Sequence, residues 1–240
     1  MRYELFYWPG IPGRGEFVRL ALEAAGADYV DVGNDERADG VAAVEALLED
    51  AAATRPTFAP PVLRAGRTVV GQVAAILQFL GPRLGLVAKD AGDALWTHQL
   101  QLTIADLVAE SHDVHHPVGI GSYYEDQKAE ARRRAEEFRT QRIPKFLGHF
   151  ERVLARNPKG PAHLVGARLS YADLSLFHAV EGLRYAFPKA MARIGDDIPH
   201  VLALAEAVKE RPAVAAYLRS DRRLPFNEQD IFRRYPELDG

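Results

Sequence analysis

A chain of 240 residues with 48% hydrophobic content can bury one large core or two smaller ones, and nothing in its composition suggests disorder. Its formal net charge of -3 is spread over well-mixed acids and bases with no basic tail, which argues against nucleic acid or an acidic membrane surface as partners. The apolar runs are broken by Gly, Pro or charge well short of a membrane span, so a cytoplasmic protein is expected. The lack of cysteine removes disulfides, thiolate metal sites and a cysteine nucleophile, leaving any sulfur chemistry to a borrowed thiol.

In chain order, YELFYW reads as a strand and EFVRLALEAAG as a helix with Phe17, Leu20, Ala21 and Ala24 on one face, ending at Gly26. ADYVDV is a second strand and VAAVEALLED a second helix. PVLRAGRTVV is a hairpin around an Ala-Gly turn, followed by an AAILQFLG helix. The order βαβαββα, without a cysteine pair, suits a thioredoxin-like α/β domain better than a dinucleotide-binding one, which would need more parallel strands.

Near residue 85 the texture changes to helical pattern only. We therefore expect an N-terminal domain over residues 1–83 and an all-helical domain over 92–240, with a C-terminal extension from about residue 224. Ile143, Phe146, Leu147, Phe150 and Leu154 form a helical stripe in which Pro144 should start or kink a helix. The run KAEARRRAEEFR before it reads as a solvated face. In RLSYADLSLF, Ser170 and Asp173 have the spacing of a capping box, with Leu169 and Leu174 as its staple. The tail LPFNEQDIFRRYPELDG is polar and aromatic enough to lie over the body, either to cover a pocket or for stability alone.

Tyr7 ends the first strand, directly before a loop carrying Gly10, Gly13 and Gly15, and in open α/β sheets ligands gather at the carboxyl ends of strands. The glycine spacing fits neither a Walker motif nor a dinucleotide fingerprint. Position alone leaves packing and catalysis open for this tyrosine. Along HDVHHP, His112, His115 and His116 have helical spacings. A metal site would want i, i+4 histidines with another ligand such as Asp113 or Glu110, whereas capping, backbone bonding or solvent contact explains such residues more often.

Taken together, YELFYWPGIPGRGEFVRLALEAAGADYVDV, APPVLRAGRTVVGQVAAILQFLG and LSYADLSLF resemble the cytosolic glutathione S-transferases, over nearly the whole chain. The resemblance is to the tyrosine-type classes, sigma-like or a related bacterial class. It implies a thioredoxin-like domain followed by an all-α domain, glutathione as co-substrate, an electrophilic small molecule as second substrate, a detoxifying conjugation and a homodimer.

The resemblance assigns Tyr7 to donate a hydrogen bond to the glutathione sulfur, with Trp8 and Arg14 as an aromatic residue and a supporting cation beside it. Pro61 matches the cis-proline before the third strand, preceded by Pro60, and Gln72 with Val73 matches the pair that holds the γ-glutamyl end. Arg37 and Arg55 fall where cations meet the glycyl carboxylate. Glu110 or Asp106 could reach across the dimer to the γ-glutamyl amine. The histidines and Tyr123 or Tyr124 would flank the electrophile.

Three residues depart from the family pattern. Pro60 has no N–H to give, Val73 lacks the usual hydroxyl, and Ala59 replaces a glutamine found in several classes. Each removes a polar contact worth roughly 1 to 3 kcal/mol, which leaves a non-catalytic binding protein of the same fold as the alternative. The physical case for Tyr7 needs no relative. A thiol of pKa about 8.5 is only a few per cent thiolate at neutral pH. A donated, charge-assisted hydrogen bond lowers that value by about one to two units, and Arg14 and the helix-start amides act in the same direction.

Overall fold

The structure is a computed structural model that describes residues 2–35 and 39–240; Arg37 lies outside the described residues. Four short strands, β1 (Tyr3–Phe6), β2 (Tyr29–Asp31), β3 (Val62–Ala65) and β4 (Thr68–Gly71), form one sheet in the order β2-β1-β3-β4. β1 runs parallel to β2 and antiparallel to β3, with Leu5 opposite both Asp31 and Leu63. The parallel pair is joined through α1 (Gly15–Ala24), the crossover such a pair requires. Helix α1 ends where Gly26, at φ +62°, takes the left-handed conformation that closes a helix without a Cβ penalty.

Alternation along β1 divides its side chains between two faces. Tyr3 and Leu5 pack with Val18 and Leu22 of α1 and with Ile76 and Leu80 of α3 (Val73–Leu84). Phe6 faces the other way and packs with Val32, Val62 and Val44 of α2 (Gly40–Leu48). The remainder is helical: α4 (Ala91–Asp113), α5 (Lys128–Glu137), α6 (Ile143–Ala155), α7 (Tyr171–Ala186), α8 (Pro188–Ile194), α9 (Pro199–Lys209), α10 (Pro212–Leu218) and a last turn, α11 (Pro236–Asp239). The expected stripe on α6 is buried throughout, and Pro144 lies in its first turn, after a π-helical turn over Phe138–Arg142.

Helix α1 departs from the single apolar face expected for it, because it is sandwiched. Val18 and Leu22 meet the sheet while Phe17, Leu20 and Ala21 join the large core of the helical half, so every residue from Gly15 to Leu22 is buried. Two of those residues are charged. Glu16 accepts the Tyr217 hydroxyl at 3.0 Å on both carboxylate oxygens and lies 3.3 Å from the Arg223 guanidinium. Arg19 bonds Asp31 at 2.7 Å, donates to the Pro12 carbonyl at 2.9 Å and lies 3.5 Å from Glu16. Burial of either charge would be costly in isolation; the pairing offsets it and ties α1 to both halves of the molecule.

Helix α7 runs through the middle of the helical half, and its start is the capping box expected from the sequence. The Asp173 carboxylate, fully buried, also accepts the Leu164 amide at 2.7 Å, so it fixes the preceding loop as well as the helix. We expect Asp173→Ala to cost about 2 to 4 kcal/mol, since it strands several buried donors, and Ser170→Ala about 1 kcal/mol. Urea denaturation of both variants beside the parent checks the ranking; equal midpoints for the three proteins would contradict it.

Candidate functional site

The loop after β1 folds back over the ring of Tyr7, which is 7% exposed. Its hydroxyl oxygen accepts the Arg14 backbone N–H at 2.9 Å, and among the described residues no group accepts the hydroxyl's own proton. Gly13 sits at φ +45°, and a Cβ built there would lie 2.2 Å from that oxygen, so glycine is required twice over. Burial pushes the Tyr7 phenol above its ordinary range, against the opposing pull of the Arg14 amide and guanidinium. At neutral pH the group is a protonated donor with a free O–H.

Beside it lies a cavity of about 770 Å³ between the start of α3 and one face of α4, a volume suited to a small ligand. Of the residues singled out in the sequence, Arg14, Ala59, Pro60, Pro61, Gln72, Val73 and His112 line it. Tyr7 lies under Arg14, just beyond that lining. The Pro60–Pro61 bond is cis. Gln72 is the one described non-glycine residue with positive φ, at 67°, a conformation that costs on the order of 1 to 2 kcal/mol and tends to persist at ligand sites. It directs the chain into α3, whose first amides, at Val73, Ala74 and Ala75, have no intrahelical acceptor and stand at the cavity wall.

Other expected residues lie elsewhere. Trp8 packs against the Phe6, Val32 and Val44 cluster, and Arg55 is exposed outside the cavity lining. Glu110 is held by Arg142 at 2.6 and 2.8 Å and by Arg134 at 3.3 Å, and the Arg142 hydrogen bonds keep its carboxyl below the ordinary range. Asp106 is exposed. Tyr123 is also exposed, whereas Tyr124 is buried, donates to Glu237 at 2.9 Å and stacks on Tyr235.

The three histidines touch one another. His115 and His116 face each other through Nδ1 atoms 2.6 Å apart, and the rings of His112 and His116 stack. Burial lowers the pKa of all three, that of His115 to about 3. They are therefore neutral at pH 7. Among the described residues no group of His, Asp or Glu side chains is arranged to hold a metal.

The site also has members that sequence reasoning missed. The tail reaches the loop after β1, where Asp230 accepts the Gly13 amide at 2.9 Å and Asn227 donates to the Gly10 carbonyl at 3.0 Å. The Ile231 carbonyl meets His115 Nε2 at 2.9 Å. On the far wall, Gln101 Oε1 and His98 Nδ1 are buried at the cavity without a partner. The only signal in the sequence was the polar, aromatic character of the tail.

Residues 112–221 match the family described as "Glutathione S-transferase, C-terminal domain". The chain is 25% identical to glutathione S-transferase P of Bos taurus over 219 residues, which cover 91% of this chain and 92% of that one. In fold it resembles the Pi-class glutathione S-transferase of Onchocerca volvulus, with TM-score 0.72 and 21% identity over 95% of this chain and 98% of the other. It likewise resembles the prostaglandin synthase D of Nilaparvata lugens, with TM-score 0.71 and 20% identity over 94% and 100% of the two chains. With a mixed four-stranded thioredoxin-like layer followed by a helical domain, the chain has the glutathione S-transferase fold and is similar in sequence to proteins of that name.

Proposed function

We propose that the protein is a glutathione transferase of the tyrosine type, in which the Tyr7 hydroxyl donates a hydrogen bond to the sulfur of bound glutathione. The observation that carries this reading is the state of that hydroxyl: one lone pair is occupied by the Arg14 amide, its proton has no acceptor among the described residues, and burial keeps the phenol protonated. Such a group cannot serve as a phenolate base at neutral pH. It can stabilise a thiolate by hydrogen bonding, which lowers the thiol pKa and releases the proton to solvent. The thiolate then attacks an electrophilic carbon, forming a C–S bond as the leaving group departs or as the charge passes to the acceptor.

Arg14, on the cavity wall, supplies the neighbouring positive charge. The γ-glutamyl carboxylate would lie against the amides that open α3, which favour an anion even though Val73 brings no hydroxyl. A helix of 12 residues gives that end a full dipole. We assign the γ-glutamyl contact to Gln72 and the cysteinyl backbone contact to the segment at Pro60 and Pro61, where the Pro60 carbonyl is the group left to accept. The electrophile would meet the α4 face, with Ile104, Val108 and His112 on the wall. A homodimer and a detoxifying role are the family expectation. A carboxylate from Glu110 of a second copy has less to recommend it, because Arg142 and Arg134 already engage that group.

The non-catalytic alternative draws on Ala59, Pro60 and Val73 and is separated from the enzyme by calorimetry: one-per-chain binding of reduced glutathione is expected, and none at millimolar concentration would favour it. Tyr7→Phe should lower kcat/KM with an aryl halide by about 10- to 100-fold at pH 7, as loss of a charge-assisted hydrogen bond implies, and shift the rate profile to higher pH. Its affinity for glutathione should hold within about threefold, and an unchanged profile would remove Tyr7 from the mechanism. Val73→Ser should tighten glutathione binding by roughly three- to tenfold, the return of about one hydrogen bond; titration of the two proteins side by side reads it directly.

A further inference from the structure

The loop over Tyr7 has little to hold it from within its own sequence. Arg19 secures the Pro12 carbonyl from below, and the Gly10 amide donates to Asn34 Oδ1 at 2.9 Å. The outer side is covered by residues more than two hundred positions away. Asn227 donates to the carbonyl of Gly10, and Asp230 Oδ1 accepts the Gly13 amide while also accepting the Ile231 amide at 2.6 Å. The next amide along the loop, that of Arg14, is the one that donates to the Tyr7 hydroxyl. Two consecutive N–H groups are thus directed by two acceptors, one from the tail and one from β1.

We infer that Asp230 is a positioning residue of the thiol-activating site: through the Gly13 amide it fixes the Pro12–Gly13 peptide, and this places the following Gly13–Arg14 peptide, whose N–H makes the hydrogen bond that fixes the Tyr7 hydroxyl. The inference rests on the role proposed for Tyr7. Its support lies in the surroundings of Asp230. The residue is 2% exposed, and its second oxygen is buried without a partner, a costly arrangement for a tail that served only to cover surface. The tail around it is firmly seated: Phe232 fills the space over Gly182, where a Cβ would lie 2.3 Å from the ring, and His115 meets the Ile231 carbonyl.

The charged and titratable groups that face Asp230 are Arg223 and Arg233 of the tail and Tyr7 from the strand. Burial raises the Asp230 carboxyl to about 6, against the pull of the Ile231 and Gly13 amides and of the two arginines. Because the folded-state value lies above the ordinary one, the acid form is favoured by the fold, and its contribution fades as pH rises through about 6. The charged form in turn raises the Tyr7 phenol and keeps it a donor.

The test uses the full chain with Asp230→Ala, Asp230→Asn and Tyr7→Phe made separately, and reduced glutathione with an aryl halide as substrates. Amide hydrogen exchange at Gly13 and Arg14 reads the loop without reference to turnover. Asp230→Ala should speed that exchange by about tenfold or more and lower kcat by a similar factor, with KM for glutathione within about threefold. Asp230→Asn keeps the accepting oxygen, so it should restore slow exchange and recover most of kcat, while lacking the inflection near pH 6 expected of the parent.

Parent-like exchange and kcat in the alanine variant would overturn the inference. If that variant does not fold, an asparagine variant with fast exchange at Gly13 and Arg14 but parent-like kcat would overturn it instead. Full turnover in Tyr7→Phe would sink the proposed role of Tyr7, and the exchange result would then decide the placement of the loop by itself.

Discussion

Everything in the site depends on how closely a peptide can approach a phenol. The Arg14 amide reaches the Tyr7 hydroxyl only because the residue before it has no side chain; a single Cβ at Gly13 would overlap that oxygen, and one at Gly15 would lie 2.8 Å from the ring. Behind this contact stands Arg19, wholly buried, with its guanidinium on the Pro12 carbonyl and on Asp31. A cation there would be prohibitive without Asp31 and Glu16 beside it, so the geometry of a surface loop is set by a charge network in the interior. The sheet contributes the frame, because Tyr7 directly follows β1 and Asp31 ends β2, the strand paired parallel to it.

The parts legible in the sequence were those in which cause and effect lie close along the chain. Periodicity gave the strands, the hairpin and the α6 stripe; Ser170 and Asp173 announced a helix start; Gly26 announced a helix end. The place of Tyr7 just after the first strand followed from the strand pattern, whereas the cis bond before Pro61 and the place of Gln72 at a helix entrance were expected only through the resemblance. The amphipathic reading of α1 fell short because periodicity reports one apolar face, and a helix held between two layers has two. The same limit applies to Glu16 and Arg19, whose burial no periodicity signals. Their partners Tyr217 and Arg223, like Asp230 above Gly13, lie about two hundred residues downstream, and no local pattern encodes such pairings.

The chemistry on the two sides of the cavity is unequal. Toward α3 it is built from backbone: a left-handed Gln72, a proline pair and the first amides of a helix. Apart from the N–H that proline lacks at position 60, those backbone groups do not depend on side-chain identity. Toward α4 it is built from side chains, with Arg14 and Asp113 as the charged members and a histidine cluster that stays neutral because its rings are buried and face one another and Arg233. The wall near Arg14 therefore carries one positive charge rather than several.

The bond between Glu16 and Tyr217 has a bearing on motion. It joins the first turn of the helix beneath the sheet to the far end of the helical half, with Arg223 alongside, and it does so in the interior. Rotating one half against the other would separate a buried carboxylate from its donors, a penalty of several kcal/mol with no solvent at hand to repay it. Hinge opening of the kind that admits ligands to many two-domain proteins is thus closed to this molecule. The rim of the cavity, by contrast, carries the exposed Phe58 and Ile120, side chains that can shift without breaking a buried pairing.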